Sequence, residues 1–74
     1  HQFTVVMKFG ETNSEIVFLQ DALKHEGVFP TNISSTGYYG SITATAVEKF
    51  QTKYGLPVRG KVVEGVTLDK LNNL

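Results

Sequence analysis

The sequence predicts an all-α fold, a small three-helix bundle with long ordered loops, and three observations carry that expectation. The first is period. Apolar residues recur at helical spacing in three stretches, around Ile16, Leu19 and Leu23, around Val47, Phe50 and Tyr54, and around Leu68 and Leu71. The second is punctuation. A glycine-containing turn opens each stretch, at Gly10, at Gly37 and Gly40, and at Gly60 and Gly65. Gly27 stops the first stretch, and Gly55 with Pro57 stops the second. The third is size: 74 residues without a cysteine make one small domain whose stability rests on packing alone.

Taken in order, residues 1–9 alternate Phe3, Val5, Met7 and Phe9, which suits an extended segment. No second strand is evident, so the segment is expected to lie across the bundle and bury Phe3 or Phe9, with a short β pairing as the second choice. Helix 1 is expected from Asn13 or Ser14 to Glu26. Thr12-x-x-Glu15 reads as a capping box with Ser14 as the competing cap, and Asn13 suits a left-handed conformation. Residues 28–36 are polar, interrupted by Pro30 and without period, so they read as a loop anchored by Phe29 or Ile33. Helix 2 is expected from about Ser41 to Tyr54, capped by the hydroxyl of Ser41 or Thr43. Its apolar face carries Thr43, Val47, Phe50 and Tyr54, with Ala44 and Ala46 as small neighbours. Helix 3, from Glu64 or Val66 to Asn73, is too short to form alone and depends on docking. Leu19, Leu23, Val47, Phe50 and Leu71 are expected to meet in one core.

Composition narrows the function. Seven basic and seven acidic residues cancel, which argues against a nucleic-acid or anionic-surface binder. No apolar run approaches the roughly 20 residues that span a bilayer, so no membrane insertion is expected. The chain begins at His1 without a signal peptide, and it reads as one domain, 1–74, cut from a longer chain and monomeric within a multidomain protein. His1 and His25 stand alone, so no metal motif is present and no cofactor is expected. The seven carboxylates fall where solvated helix faces or caps would put them, and the serines and threonines lack a nucleophile elbow. The expectation is a protein that is not an enzyme, with no catalytic residues. Asn32-Ile33-Ser34 matches a glycosylation acceptor, a triplet that chance supplies often.

Two helices carry an apolar residue followed by Gln, at Leu19-Gln20 and Phe50-Gln51. A glycine turn, Gly37-Tyr38-Tyr39-Gly40, then leads to Thr43, to Ala46-Val47 and to Phe50-Gln51, and a second leads from Gly60 to Thr67 and Leu71. In these positions, from Gly10 to Leu71, the chain resembles the peptidoglycan-binding-domain-like family, small three-helix modules found beside bacterial cell-wall hydrolases. The segment Gly37 to Gln51 is the specific part of that likeness. One departure lies between Gly60 and Thr67, which holds one residue more than the usual turn and has Val63 where a second glycine is common. Gly65 is expected to take the permissive role there. The resemblance implies non-catalytic binding of peptidoglycan, through glycan strand or stem peptide, by a bacterial module that tethers an attached enzyme or surface protein. It implies an extracytoplasmic place, in the cell wall or secreted. The competing reading is a protein-interaction or structural helical module, as in the pro-segments of metalloproteases.

The residues themselves suggest where binding occurs. Gln20 and Gln51 read as structural amides bonded to loop backbone. Tyr38 and Tyr39, adjacent between glycines, cannot easily both point inward, so at least one ring is expected at the surface, and an exposed aromatic suits stacking on a sugar ring or packing on peptide methylenes. Arg59 and Lys61 on the second turn offer a cation for a carboxylate, beside free amides at helix N-termini. The ligand-binding candidates are therefore Tyr38, Tyr39 and Arg59 in one shallow groove, with Thr43 at its edge. The alternative is that both tyrosines pack against helix 2 and Arg59 only solubilises.

Overall fold

Asn13, rather than Thr12 or Ser14, starts the first helix. In the computed structural model, which describes residues 1–74, α1 spans Ser14–His25, and Asn13 sits at its N-cap with φ −165. That is extended backbone, not the left-handed conformation expected. The geometry points the Asn13 Oδ1 at the Ile16 amide, which donates to it at 3.2 Å, so one first-turn donor is satisfied. Glu15 is left outside the cap and carries the negative charge favoured in a first turn.

The second helix, α2, spans Ser41–Lys53, and the third, α3, spans Gly65–Asn72. Gly40 occupies the N-cap of α2 without any side-chain hydrogen bond. Ser41 and Thr43 therefore do not cap it. Ser41 is already helical, and the Thr43 hydroxyl is taken by Gln20. At the first residue of α3, Gly65 adopts φ +51, a left-handed angle that an L side chain resists, so Gly65 takes the permissive role in this turn.

The all-α expectation needs one amendment. Met7–Lys8 (β1) and Val62–Val63 (β2) pair antiparallel, Met7 opposite Val63 and Lys8 opposite Val62. Val63, found where a glycine was expected, has a β-branched side chain that suits a strand, and both Met7 and Val63 are fully buried. The pairing continues irregularly, the Phe9 amide donating to the Lys61 carbonyl at 2.9 Å. Phe3 is the buried ring of this segment, while Phe9 stays exposed with the Lys61 ammonium 5.3 Å from its ring centre. The Phe3 backbone is fixed to α3 by a reciprocal pair: its amide donates to Asn72 Oδ1 at 2.7 Å, and Asn72 Nδ2 donates to its carbonyl at 2.8 Å.

One core unites these elements. Leu19 and Leu23 of α1, Val47 and Phe50 of α2, and Leu71 of α3 lie together in it, joined by Phe3, Met7, Ile16 and Val63. Phe29 closes the loop side, and Ile33 is only partly covered. At the far end of α1, Glu26 accepts from the Tyr54 hydroxyl and from Lys53 Nζ at 3.3 Å. The Tyr54 hydrogen bond, with the Lys53 charge beside it, holds the Glu26 carboxyl below its usual value and outweighs desolvation. The same bond raises the Tyr54 phenol.

Candidate functional site

Two buried glutamines organise the loops in the same way. Gln20, on the inner face of α1, accepts the Gly37 amide at 2.9 Å and donates to the Tyr38 carbonyl at 2.9 Å and to Thr43 Oγ1 at 3.0 Å. Gln51, on the inner face of α2, accepts the Arg59 amide at 2.8 Å and donates to the Arg59 carbonyl at 3.0 Å and to Thr67 Oγ1 at 3.1 Å. Each amide thus clamps the turn that precedes the next helix and reaches the hydroxyl in that helix's first turn. Both residues are 1% exposed, and no buried side-chain polar atom lacks a partner. The internal repetition visible in the sequence is therefore a repeated hydrogen-bond device.

The chain between β1 and α1 ties the two turns together. The Gly10 amide donates to the Tyr39 carbonyl at 2.8 Å, the Tyr39 amide donates to the Glu11 carbonyl at 2.9 Å, and the Asn13 amide donates to the Gly37 carbonyl at 3.1 Å. Gly37 has φ +84, and a Cβ there would stand 3.0 Å from the Asn13 carbonyl oxygen, so this close approach needs glycine. The Tyr39 ring is fully buried, and its hydroxyl donates to the Gly60 carbonyl on the other turn. Burial, with the Glu48 charge adding to it, pushes the Tyr39 phenol far above its usual range.

Two shallow grooves open at the two turns. The first, of about 240 Å³, is bordered by Tyr38, Ile42, Ile33, Thr36 and Ser34, with Gln20 and Thr43 behind its wall. The second, of about 200 Å³, is bordered by Arg59, Glu64, Val66 and Pro57, with Thr67 behind it. Thr43 and Thr67 thus hold equivalent places under the two grooves.

The four residues singled out from the sequence are consequently not gathered in one groove. Tyr38 lines the first and is 49% exposed. Thr43 belongs to the same groove but is buried, its oxygen engaged by Gln20. Arg59 lines the second. Tyr39 corrects the reading most plainly: it offers a ligand nothing, because the core and the Gly60 carbonyl already hold all of it. Gly40, unlike Gly37, has a negative φ of −105. It is needed for space, since a Cβ there would meet the Tyr38 ring at 2.8 Å. Sequence reasoning missed Ile33, Ile42, Ser34 and Thr36 as groove residues. The available signal was two isoleucines at polar loop or helix-start positions, Ile42 remaining 44% exposed.

A family model described as a putative peptidoglycan binding domain matches residues 12–71. Among solved structures, the SleB N-terminal domain is similar to this chain at 30% identity and a TM-score of 0.84, over 96% of this chain and 93% of that one. A peptidoglycan-binding protein from Clostridioides difficile, in complex with glutamine hydroxamate, is 35% identical with a TM-score of 0.79, over 93% of this chain and 41% of its own. A fused Zn-dependent amidase/peptidase/peptidoglycan-binding domain-containing protein from Clostridium acetobutylicum ATCC 824 is 30% identical with a TM-score of 0.73, over 95% of this chain and 30% of its own. The chain therefore spans nearly all of the first and less than half of the other two. No curated protein matches it.

Proposed function

The chain belongs to the putative peptidoglycan binding domain family and is a peptidoglycan-binding module, and from that premise we propose that it binds without catalysis and holds an attached enzyme or surface protein against the bacterial wall. The observation that carries this reading is the family match over residues 12–71, which takes in all three helices, both glutamine clamps and both grooves. The fused amidase/peptidase from Clostridium acetobutylicum, which this chain matches over 30% of its length, supports a role beside an attached domain. Neither groove is lined by a histidine, and Glu64 is the one carboxylate in either, so no acid–base pair faces a ligand. No helix is long and apolar enough to cross a membrane, and the proposed place of action is extracytoplasmic, at the wall.

The binding residues we assign are Tyr38 in the first groove and Arg59 in the second. Thr43 supports the first, and Tyr39 holds the two turns in register. Grooves this shallow bind each repeat unit weakly, and a monomer tethered to a polymer gains from the many copies at high effective concentration. To test the tether, the chain is fused to a wall-hydrolysing domain. The fusion is expected to speed release of fragments from insoluble wall while leaving cleavage of soluble fragments unchanged. Equal acceleration on both substrates, or on neither, overturns it.

A further inference from the structure

We propose that the Tyr38 groove is the glycan subsite, taking one neutral N-acetylated sugar ring of the strand and not the stem peptide; this deepens the wall-binding reading above and rests on it. Charge favours the sugar. Ten residues line this groove and none is charged. A stem peptide brings carboxylates, and a carboxylate moved from water into a groove without a counter-charge loses hydration that nothing there restores. The second groove differs in this respect, being lined by Arg59 and Glu64.

The platform is built to hold a ring. The Tyr38 backbone is pinned at both ends, its carbonyl by Gln20 at 2.9 Å and its amide by Thr36 Oγ1 at 3.2 Å. The ring lies against Gly40, where no Cβ intervenes. An aromatic held in this way loses little freedom on binding, and half of its surface is still open. No hydrogen bond within the chain engages the Tyr38 hydroxyl, in contrast to Tyr39 and Tyr54.

The neighbours mix apolar and hydroxyl groups as an N-acetylated sugar does. Ile33 and Ile42 offer apolar walls for an acetyl methyl, and the hydroxyls of Ser34, Thr36 and Ser41 can exchange hydrogen bonds with sugar hydroxyls. A volume of about 240 Å³ suits a single ring and falls below the usual drug-sized cleft.

The test compares three probes on the whole chain: intact sacculi, glycan strands stripped of peptide by an amidase, and free stem peptides. The chain is expected to bind the stripped strands, with amide shifts concentrated between residues 33 and 43. Tyr38→Ala should weaken that binding about threefold to tenfold, and Tyr38→Phe should retain it. Retention on intact sacculi without binding to stripped strands overturns the glycan assignment and leaves wall binding standing. The same holds if a folded Tyr38→Ala binds the strands like the parent. Failure to bind any of the three probes removes both readings. Should Tyr38→Ala lose its fold, the shift map of the parent decides alone: shifts centred on Arg59 and Glu64 overturn the assignment.

Discussion

Gln20→Met keeps roughly the volume of the side chain and removes every hydrogen bond it makes. In the parent those bonds are three, at 2.9, 3.0 and 2.9 Å, to the Tyr38 carbonyl, the Thr43 hydroxyl and the Gly37 amide. A buried polar group left unpaired costs about 1–3 kcal/mol. The Gly37 amide and the Thr43 hydroxyl are buried, whereas the Tyr38 carbonyl is partly open to water. The Thr43 hydroxyl can turn to a carbonyl of its own helix and recover part of its loss. The sum is about 3–4 kcal/mol, against a total of roughly 4–11 kcal/mol for a chain of this length. At about 4–8 °C per kcal/mol for a small domain, the melting temperature should fall by more than about 10 °C. Gln51→Met is the internal control. Its loop partner is the backbone of the exposed Arg59, which water can reach, so the loss should be about half as large. Thermal melts and urea titrations of both variants read the two numbers. A Gln20→Met protein that melts within a few degrees of the parent, or a Gln51→Met protein that suffers more, refutes the clamp reasoning.

Three further outcomes follow from the same structure. Phe50→Ala empties the centre of the core, where the ring is fully buried, and should cost about 3–5 kcal/mol, read by urea unfolding. Gly60→Ala places a Cβ 2.4 Å from the Glu48 Cγ and 2.5 Å from the Ala44 carbonyl oxygen; the backbone contact cannot give, so a loss of about 1–3 kcal/mol is expected in the same assay. Glu26→Gln changes the acid limb of stability. The Glu26 carboxyl is held below its ordinary value of 4.5, first by the Tyr54 hydrogen bond, so the unfolded chain takes up the proton before the folded one. Its contribution is therefore fully present above about pH 4.5 and is lost as pH falls through the lower folded value. The stability gap between parent and Glu26→Gln should narrow below about pH 4.5, and a gap that stays constant down to acid unfolding excludes the mechanism.

Much of this architecture is legible in the residues, because helices announce themselves locally. The faces built on Leu19 and Leu23, on Val47 and Phe50, and on Leu71 could be drawn from period alone, and they do share one core. The glutamines could be read as structural because each follows a core residue in its helix. The pairing of β1 with β2 is legible only as the second choice: the alternation of Phe3, Val5, Met7 and Phe9 marks an extended segment, but its partner, two residues more than 50 positions away, carries no alternation of its own. Which tyrosine turns inward was equally hidden. Tyr38 and Tyr39 are adjacent and chemically identical, and the choice is made by backbone bonds from Gly10 and Glu11 and by the distant Gly60 carbonyl. The same long-range contacts take Tyr39 into the core, and Tyr38 and Arg59 line two separate grooves instead of one. The helix 2 cap was misread for a related reason: the Thr43 hydroxyl is claimed by an amide 23 residues away instead of its own first turn.

The tether and the glycan subsite both rest on this module binding peptidoglycan by itself. Sedimentation with purified, protein-free sacculi tests it most directly, with the chain alone at increasing concentration and the free fraction measured in the supernatant. Saturable retention is expected, with release of no soluble fragments and weaker retention for a folded Tyr38→Ala variant. A chain that stays wholly in the supernatant at every concentration, while its melting curve shows it folded, is not a peptidoglycan-binding module.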